Sequence, residues 1–279
     1  MKYKLDMAVV GYGFVGKAVH HGFDLDNNTV ALIDPNLGTK VEDLYGEKLH
    51  VAFICVPTPM SDTGEINASI VREVSDKLFE HTDCLVVLKS TVTPDIVEEL
   101  SYRYPGRFVY NPEFLTEANA ERDFENATFN IFGGDMLPTA KVADYYAHCS
   151  KCKNAKPVFM TAVEASFVKY TINTFLSTKV TFFNQMKDLT ERMDGVNFDK
   201  IVEGVSNDPR IGLSHMAVPG PDGRRGFGGA CFPKDTSALY QCSGGEFDLL
   251  KKVLDINASY RLQYDLDDRE KEQNVKFGD

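Results

Sequence analysis

This sequence predicts an α/β fold, with an N-terminal doubly wound parallel sheet followed by an all-α domain built on one long helix. Three observations carry the prediction. Short apolar runs alternate with helical patterns over residues 1–160. A glycine-rich turn follows the first of those runs directly. Residues 162–193 then contain neither proline nor glycine and repeat their apolar side chains at helical spacing.

The strand candidates, in order, are Met7-Ala8-Val9-Val10, Val30-Ala31-Leu32-Ile33, Val51-Ala52-Phe53-Ile54-Cys55-Val56, Leu85-Val86-Val87-Leu88, Phe108-Val109-Tyr110 and Phe129-Asn130-Ile131-Phe132. Continuous apolar runs suit parallel strands covered on both faces. Helical patterns at 17–23, 68–80 and 95–103 lie between several of them. Polar motifs cluster where such strands end, which is where doubly wound sheets bind ligands. These are Pro57-Thr58-Pro59, Ser90-Thr91-Val92 and Asn111-Pro112-Glu113-Phe114-Leu115-Thr116-Glu117.

The long helix, 162–193, carries Phe167, Tyr170, Ile172, Phe175, Leu176, Val180, Phe183 and Met186. It would span on the order of 45 Å and serve as a domain spine or a dimer seam. Lys169 and Asn173, four apart, share one face of it, which by itself reads as a solvated polar face. Gly195 ends it, and shorter helices follow at 198–205, 235–242 and 247–262. The charge-rich segment 265–279 lacks periodicity and is expected to be frayed or disordered. The expected domains are therefore 1–160, 161–264 and the tail 265–279.

Composition narrows the function. At 279 residues, 43% hydrophobic and 25% charged, the chain reads as soluble and globular. A formal net charge of -11 argues against a nucleic-acid partner. No stretch reads as a signal peptide or membrane span. Six cysteines form no disulfide framework. Cys149 and Cys152 make a CxxC without a second ligand pair, so no metal site is expected and a cytoplasmic setting fits.

Two stretches carry chemistry. The first is Gly11-Tyr12-Gly13-Phe14-Val15-Gly16, a GxGxxG that follows a strand and opens a helix. Gly11 makes the tight turn, Gly13 lets a pyrophosphate approach the backbone, and Gly16 allows close helix–strand packing. Asp34 ends the second strand at the offset of the ribose-binding acid, which selects NAD over NADP. The second is Gly226-Phe227-Gly228-Gly229-Ala230-Cys231-Phe232-Pro233-Lys234-Asp235. Its glycines suit a backbone that approaches a ligand closely and then presents a thiol. Lys234 and Asp235 put a cation and an anion near the sulfur, and a cation there favours the nucleophilic thiolate. The alternative for this stretch is a glycine turn with a cysteine packed as a small apolar residue.

Together these motifs, with Cys55-Val56-Pro57-Thr58-Pro59, Lys89-Ser90-Thr91-Val92, residues 111–117, Lys169 to Asn173 and Asp208-Pro209-Arg210-Ile211-Gly212, resemble the UDP-glucose/GDP-mannose dehydrogenase family. The resemblance runs in order over nearly the whole chain. It implies oxidation of a sugar primary alcohol to a carboxylate with two NAD molecules in succession, UDP-glucose being the expected UDP-sugar. Cys231 would form a thiohemiacetal and then a thioester, which water hydrolyses. Lys169 and Asn173 would donate to the oxyanions. Thr91, Glu117 and Asp235 would act on the water as acid–base partners. The cofactor side would comprise Gly11, Gly13, Phe14, Val15, Gly16, Asp34, Val56, Pro57, Thr58, Ser90, Thr91 and Glu117. The substrate side would comprise Glu113, Phe114, Leu115, Lys169, Asn173, Arg210, Phe227, Gly228 and Lys234. In the family the arginine reaches in from the partner across the seam of a homodimer, here expected through 162–193. Family members carry a third, nucleotide-sugar-binding domain, and this chain stops soon after the helix that leads into it. Thr116 stands where the family commonly has arginine.

Two other functions fit parts of the pattern. A β-hydroxyacid dehydrogenase also joins a dinucleotide-binding domain to a helical one, with a lysine and an asparagine four residues on, but has no use for Cys231. A catalytically weak or inactive NAD-binding dimer, regulatory or half of a two-chain enzyme, would not need Cys231, Lys169 or Asp235.

Overall fold

Seven strands form one sheet: β1 (Leu5–Val10), β2 (Asn28–Ile33), β3 (Val51–Ile54), β4 (Leu85–Leu88), β5 (Phe108–Tyr110), β6 (Phe129–Gly134) and β7 (Lys156–Met160). The computed structural model describes residues 4–152 and 154–278. The strand order is β2-β1-β3-β4-β5-β6-β7. The order reverses at β1, which pairs in parallel with both β2 and β3. That is the switch point at which doubly wound sheets bind their ligands. Helices α1 (Phe14–Phe23), α2 (Ser69–His81), α3 (Pro94–Arg103), α4 (Ala120–Glu125) and α5 (Met136–Cys149) complete the α/β unit.

The six expected strands are present, and the structure adds two features. β6 runs antiparallel to β5, whereas the other pairs are parallel. An apolar run reads the same in either direction, so its sense is not legible from periodicity. β7 is the second addition. It lies at the end of the sheet and carries Pro157, which an edge strand tolerates. Three of its five residues are exposed, so no apolar run marks it.

The core of this unit is aromatic where α1, α4 and α5 meet the sheet. Phe23 lies 5.2 Å from Phe53 and 5.1 Å edge-on from Tyr146, ring to ring. Val9, Val87, Val109 and Phe132 complete the same cluster. Burying one such side chain contributes about 1.5–3 kcal/mol. Cys149 and Cys152 are buried in this cluster.

The chain divides into two compact units, one holding Asn67–Lys169 and the chain before Pro59, the other Pro59–Ile66 and the chain from Tyr170 onward. The second unit is helical. It holds most of α6 (Ala162–Thr190), then α7 (Phe198–Ser206), α8 (Phe232–Cys242), α9 (Asp248–Arg261) and α10 (Asp268–Glu272). Phe183, Phe198 and Met216 form a small core there. The long helix ends at Thr190 and continues as two tight turns, Arg192 N to Leu189 O and Met193 N to Thr190 O, before Gly195. α8 begins three residues earlier than expected. Pro233 lies in its first turn, where a missing N–H costs nothing.

The tail is a correction. Asp267 and Glu270 form a capping box that starts α10, and Glu270 and Val275 are buried. The main chain returns to the loop 59–66 of the same unit, where Met60 N donates to Gln273 O at 2.9 Å and Lys276 meets Asp62 at 2.6 Å. A charge-rich sequence reads as solvated, yet here the buried carboxylate has a buried cation for a partner. No helix among the described residues is long and apolar enough to cross a membrane.

Candidate active site

The dinucleotide loop is built by steric necessity. Gly11 has φ +91, and a Cβ there would lie 2.7 Å from the Cys55 carbonyl at the end of β3. A Cβ on Gly16 would lie 2.0 Å from the Gly11 oxygen, so α1 can approach the loop only as glycine. Gly13 is exposed, with nothing within 4 Å of an added Cβ, which leaves the backbone open to a phosphate. Phe14 and Val15 begin α1, whose N-terminus carries the positive end of the helix dipole. Asp34 Oδ2 accepts from Tyr12 N at 2.7 Å, and Oδ1 accepts from Asn36 N at 2.8 Å. The half-buried carboxylate is thus aimed into the loop. A ribose diol fits that acceptor pair and a pyrophosphate fits the open Gly13 backbone.

The ends of β3, β4 and β5 supply the next residues. Val56 and Thr58 are buried, while Pro57 is exposed. Ser90 Oγ donates to Val56 O at 2.6 Å, so this hydroxyl ties β3 to β4. Thr91 is half-buried beside it. Below them lies a network that motif spacing does not reveal. Lys89 is buried and pairs with Glu113 Oε2 at 2.9 Å, and donates to Asn111 Oδ1 at 3.0 Å. Tyr146 Oη donates to the same Asn111 oxygen at 2.7 Å. Burial opposes the charge on Lys89, but the Glu113 carboxylate and Tyr146 outweigh it and hold the ammonium above its ordinary value. Burial pushes the Cys55 thiol up to about 12, with Lys89 acting the other way.

Lys169, on α6, donates to the Glu113 carbonyl and lies 5.2 Å from the Phe114 ring centroid. Leu115 packs on the core cluster and Glu117 is exposed at the start of a one-turn 3-10 helix, Glu117–Asn119. Lys89, Glu113 and Lys169 are thus linked, the first through the Glu113 side chain and the last through its carbonyl.

In the helical unit the candidates form a second set. Cys231 is half-buried at the N-cap of α8. Asp235, one turn on, is fully buried; its Oδ2 accepts from Asn173 Nδ2 and its Oδ1 from Lys234 Nζ, each at 2.6 Å. Asn173 and Asp235 are therefore brought together. Lys234, a candidate on the substrate side, is buried and pairs with Asp235. Phe227 is another candidate on the substrate side. Its ring is buried, edge-on to Phe232 at 6.4 Å, and its backbone N–H and C=O pair with the Asn257 amide at 2.7 and 3.0 Å. Gly228 backs onto Arg261 and Glu270. Arg210 is 87% exposed and gripped by Asp208 at 2.6 Å, so it projects from the surface.

Asn184, Asn257, Arg261 and Glu270 hold the glycine loop and were not among the expected residues. One signal was available. Leu250, Val253, Asn257 and Tyr260 recur at apolar-face spacing on α9, so Asn257 is a polar residue at a core position. No group of His, Cys, Asp and Glu among the described residues is arranged to hold a metal.

Comparison with known proteins shows the family. Residues 39–149 match the NAD binding domain of the UDP-glucose/GDP-mannose dehydrogenase family, and residues 163–259 match its central domain. The chain belongs to that family. Its α/β unit is the family's NAD-binding domain, so the cofactor is NAD. The UDP-glucose 6-dehydrogenase of Rickettsia felis is 36% identical over 211 residues, covering 72% of this chain and 46% of that protein. UDP-glucose 6-dehydrogenase TuaD of Bacillus subtilis is 31% identical over 302 residues, covering 92% and 63%. The structure of a UDP-glucose dehydrogenase from Pyrobaculum islandicum superposes with a TM-score of 0.76 at 27% identity, covering 92% of this chain and 69% of that one. The chain thus spans from about half to under two thirds of the length of these two curated relatives.

Proposed function

We propose that this chain is an NAD-dependent nucleotide-sugar dehydrogenase that takes a sugar primary alcohol to a carboxylate, with UDP-glucose as its substrate. The observation that carries the reading is Cys231 at the head of α8, one turn before the buried Asn173–Asp235–Lys234 cluster. A cysteine that served only packing would not need a charged cluster one turn away.

When bound, NAD supplies the hydride acceptor for both oxidations. After the first, the Cys231 sulfur adds to the aldehyde carbon, and the carbonyl oxygen becomes an oxyanion. Lys169 and Asn173, one turn apart on α6, are the donors for that oxyanion. The ammonium keeps N–H groups beyond the one given to the Glu113 carbonyl. The second oxidation leaves a thioester on Cys231. Water then adds to its carbonyl, the C–S bond breaks, and the sulfur leaves as thiolate with the positive end of α8 facing it. By resemblance to the family, Thr91, Glu117 and Asp235 are the acid–base partners for that water. Arg210 serves the anionic substrate of a partner subunit across the α6 seam. The resemblance to the family and the full set of candidate residues support this reading.

The purified chain should form NADH with UDP-glucose in a panel of UDP- and GDP-sugars, two NADH for each sugar consumed. A yield of one NADH per sugar removes the thioester route. No NADH with any sugar, from a chain that binds NAD, makes it a binding module instead.

A further inference from the structure

Around the loop 226–231 lies a set of buried polar groups with no part in the chemistry above. Gly226 N donates to Asn184 Oδ1 at 3.0 Å, and Phe227 is clasped by Asn257. Gly229 N, two residues before Cys231, donates to Glu270 Oε1 at 3.1 Å. Glu270 lies on α10, 41 residues further along the chain, and is fully buried. The same oxygen accepts from Arg261 Nη2 at 2.6 Å, and Arg261 Nη1 donates to Asp222 Oδ2 at 2.6 Å. The other carboxylate oxygen accepts from Asp267 N at 2.9 Å and closes the capping box. One carboxylate therefore joins three things: the start of α10, the end of α9 and the loop that leads to the thiol.

The packing around it is equally specific. A Cβ on Gly228 would lie 2.3 Å from Arg261 Nη2 and 2.4 Å from Glu270 Oε1. The loop backbone thus rests directly on the ion pair. A surface pair of this kind would contribute little. A fully buried one is costly to assemble, and removing Glu270 leaves the buried Arg261 with Asp222 as its remaining carboxylate. Its retention against a glycine loop calls for a role that apolar packing would not fill. An apolar side chain at 270 could fill the space, but it could not accept the Gly229 N–H.

We propose that Glu270 is a positioning residue for the cysteine loop: it fixes the backbone at 228–229 and so sets where the Cys231 sulfur stands at the head of α8. Arg261 neutralises Glu270 and orients it, and Asp222 steadies Arg261. The segment 265–276 is then a brace built onto the loop rather than a trailing end. The consequence for turnover rests on the nucleophile reading of Cys231, whereas the brace itself does not.

The test compares Glu270→Ala and Glu270→Gln with the parent chain by two measurements that need no turnover. Amide exchange is followed on the peptide spanning 226–231, and iodoacetamide alkylation of Cys231 by peptide mass spectrometry across pH. In Glu270→Ala the Gly229 N–H loses its acceptor; exchange in the loop should quicken by about tenfold and the alkylation profile of Cys231 should move. Glu270→Gln keeps an acceptor and should bring the loop exchange back toward the parent. If Glu270→Ala fails to fold because Arg261 loses one of its two carboxylates, Arg261→Met with Glu270→Met removes both charges of the pair, and the same changes are expected. Parental exchange and alkylation in the folded variants, with only a lower Tm, would overturn the proposal. Normal acid formation by Cys231→Ser would instead overturn the nucleophile reading and leave the brace standing.

Discussion

Two side chains make separable demands on the chemistry, and each can be altered alone. Cys231→Ser keeps the size of the side chain and removes the good leaving group. The variant should bind NAD as the parent does but fail to release free acid, with an aldehyde adduct or a stable ester accumulating at residue 231. Mass spectrometry of the intact chain after incubation with UDP-glucose and NAD reads that adduct, and parental acid yield would refute the role. Asp34 acts on the cofactor instead. Its two oxygens already orient the loop through Tyr12 N and Asn36 N. The carboxylate also repels the additional phosphate of NADP. The parent should therefore bind NAD well ahead of NADP, and Asp34→Ala should narrow the gap by about tenfold, a differential of about 1.4 kcal/mol. Calorimetry with both cofactors checks this, and equal affinities in the parent would show that Asp34 does not select.

Elements differ in how openly the sequence announces them, and the difference is physical. Gly11 and Gly16 were legible because a side chain at either would strike backbone at under 3 Å. β1 and β3 were legible because both faces of each are covered and the runs are unbroken. β7 was not, because an edge strand with Pro157 has no such run. In the site, Cys231, Asp235 and Asn173 were legible as residue types in a motif. Asn257 and Glu270 were not, since their meaning comes from partners 30 and 41 residues away. The start of α10 did leave a trace, the Asp267-x-x-Glu270 pattern of a capping box. Its strength can be read by pH. Asp267 is held below its ordinary value of 3.8: burial alone would raise it, and hydrogen bonds from the Glu270 backbone and Arg269 outweigh that. A carboxylate depressed in the folded state adds stability above its unfolded value, and that stability is lost as pH falls through the lower, folded value. Asp267→Ala should therefore speed amide exchange in the peptide 267–276 about fivefold at neutral pH, as for a lost cap of about 1 kcal/mol. The gap between variant and parent should close as pH falls below 3.8. A gap that stays constant to lower pH would mean that the cap contributes through shape alone.

On the scale of the molecule, the side chains left uncovered on α6 are the feature that a single chain does not account for. Phe175, Phe182 and Leu189 follow one another at intervals of seven, and they are 65%, 57% and 52% exposed. Seven residues are close to two helical turns, so these side chains form one stripe. Soluble chains rarely leave a contiguous apolar stripe open to water, and a two-fold dimer covers it by pairing the same surface on both copies. The chain should therefore scatter light as a particle of twice 31.1 kDa. Phe175→Asp with Phe182→Asp should return it to the mass of one chain while NAD binding persists, since neither residue lies in the NAD-binding unit. Such a dimer would also bear on catalysis: Arg210 is exposed and, among the described residues, its ion pair is with Asp208 of its own loop. If Arg210 serves the neighbouring subunit, Arg210→Ala and Cys231→Ser should each be inactive alone. Co-expressed, they form mixed dimers in which one site has both an intact Cys231 and an intact Arg210 from across the seam. Random pairing then restores roughly a quarter of the parental sites, read as free acid released from UDP-glucose. No recovery from mixed dimers of confirmed composition would place Arg210 in its own subunit's site, and a parent chain that scatters as a monomer would remove the seam altogether.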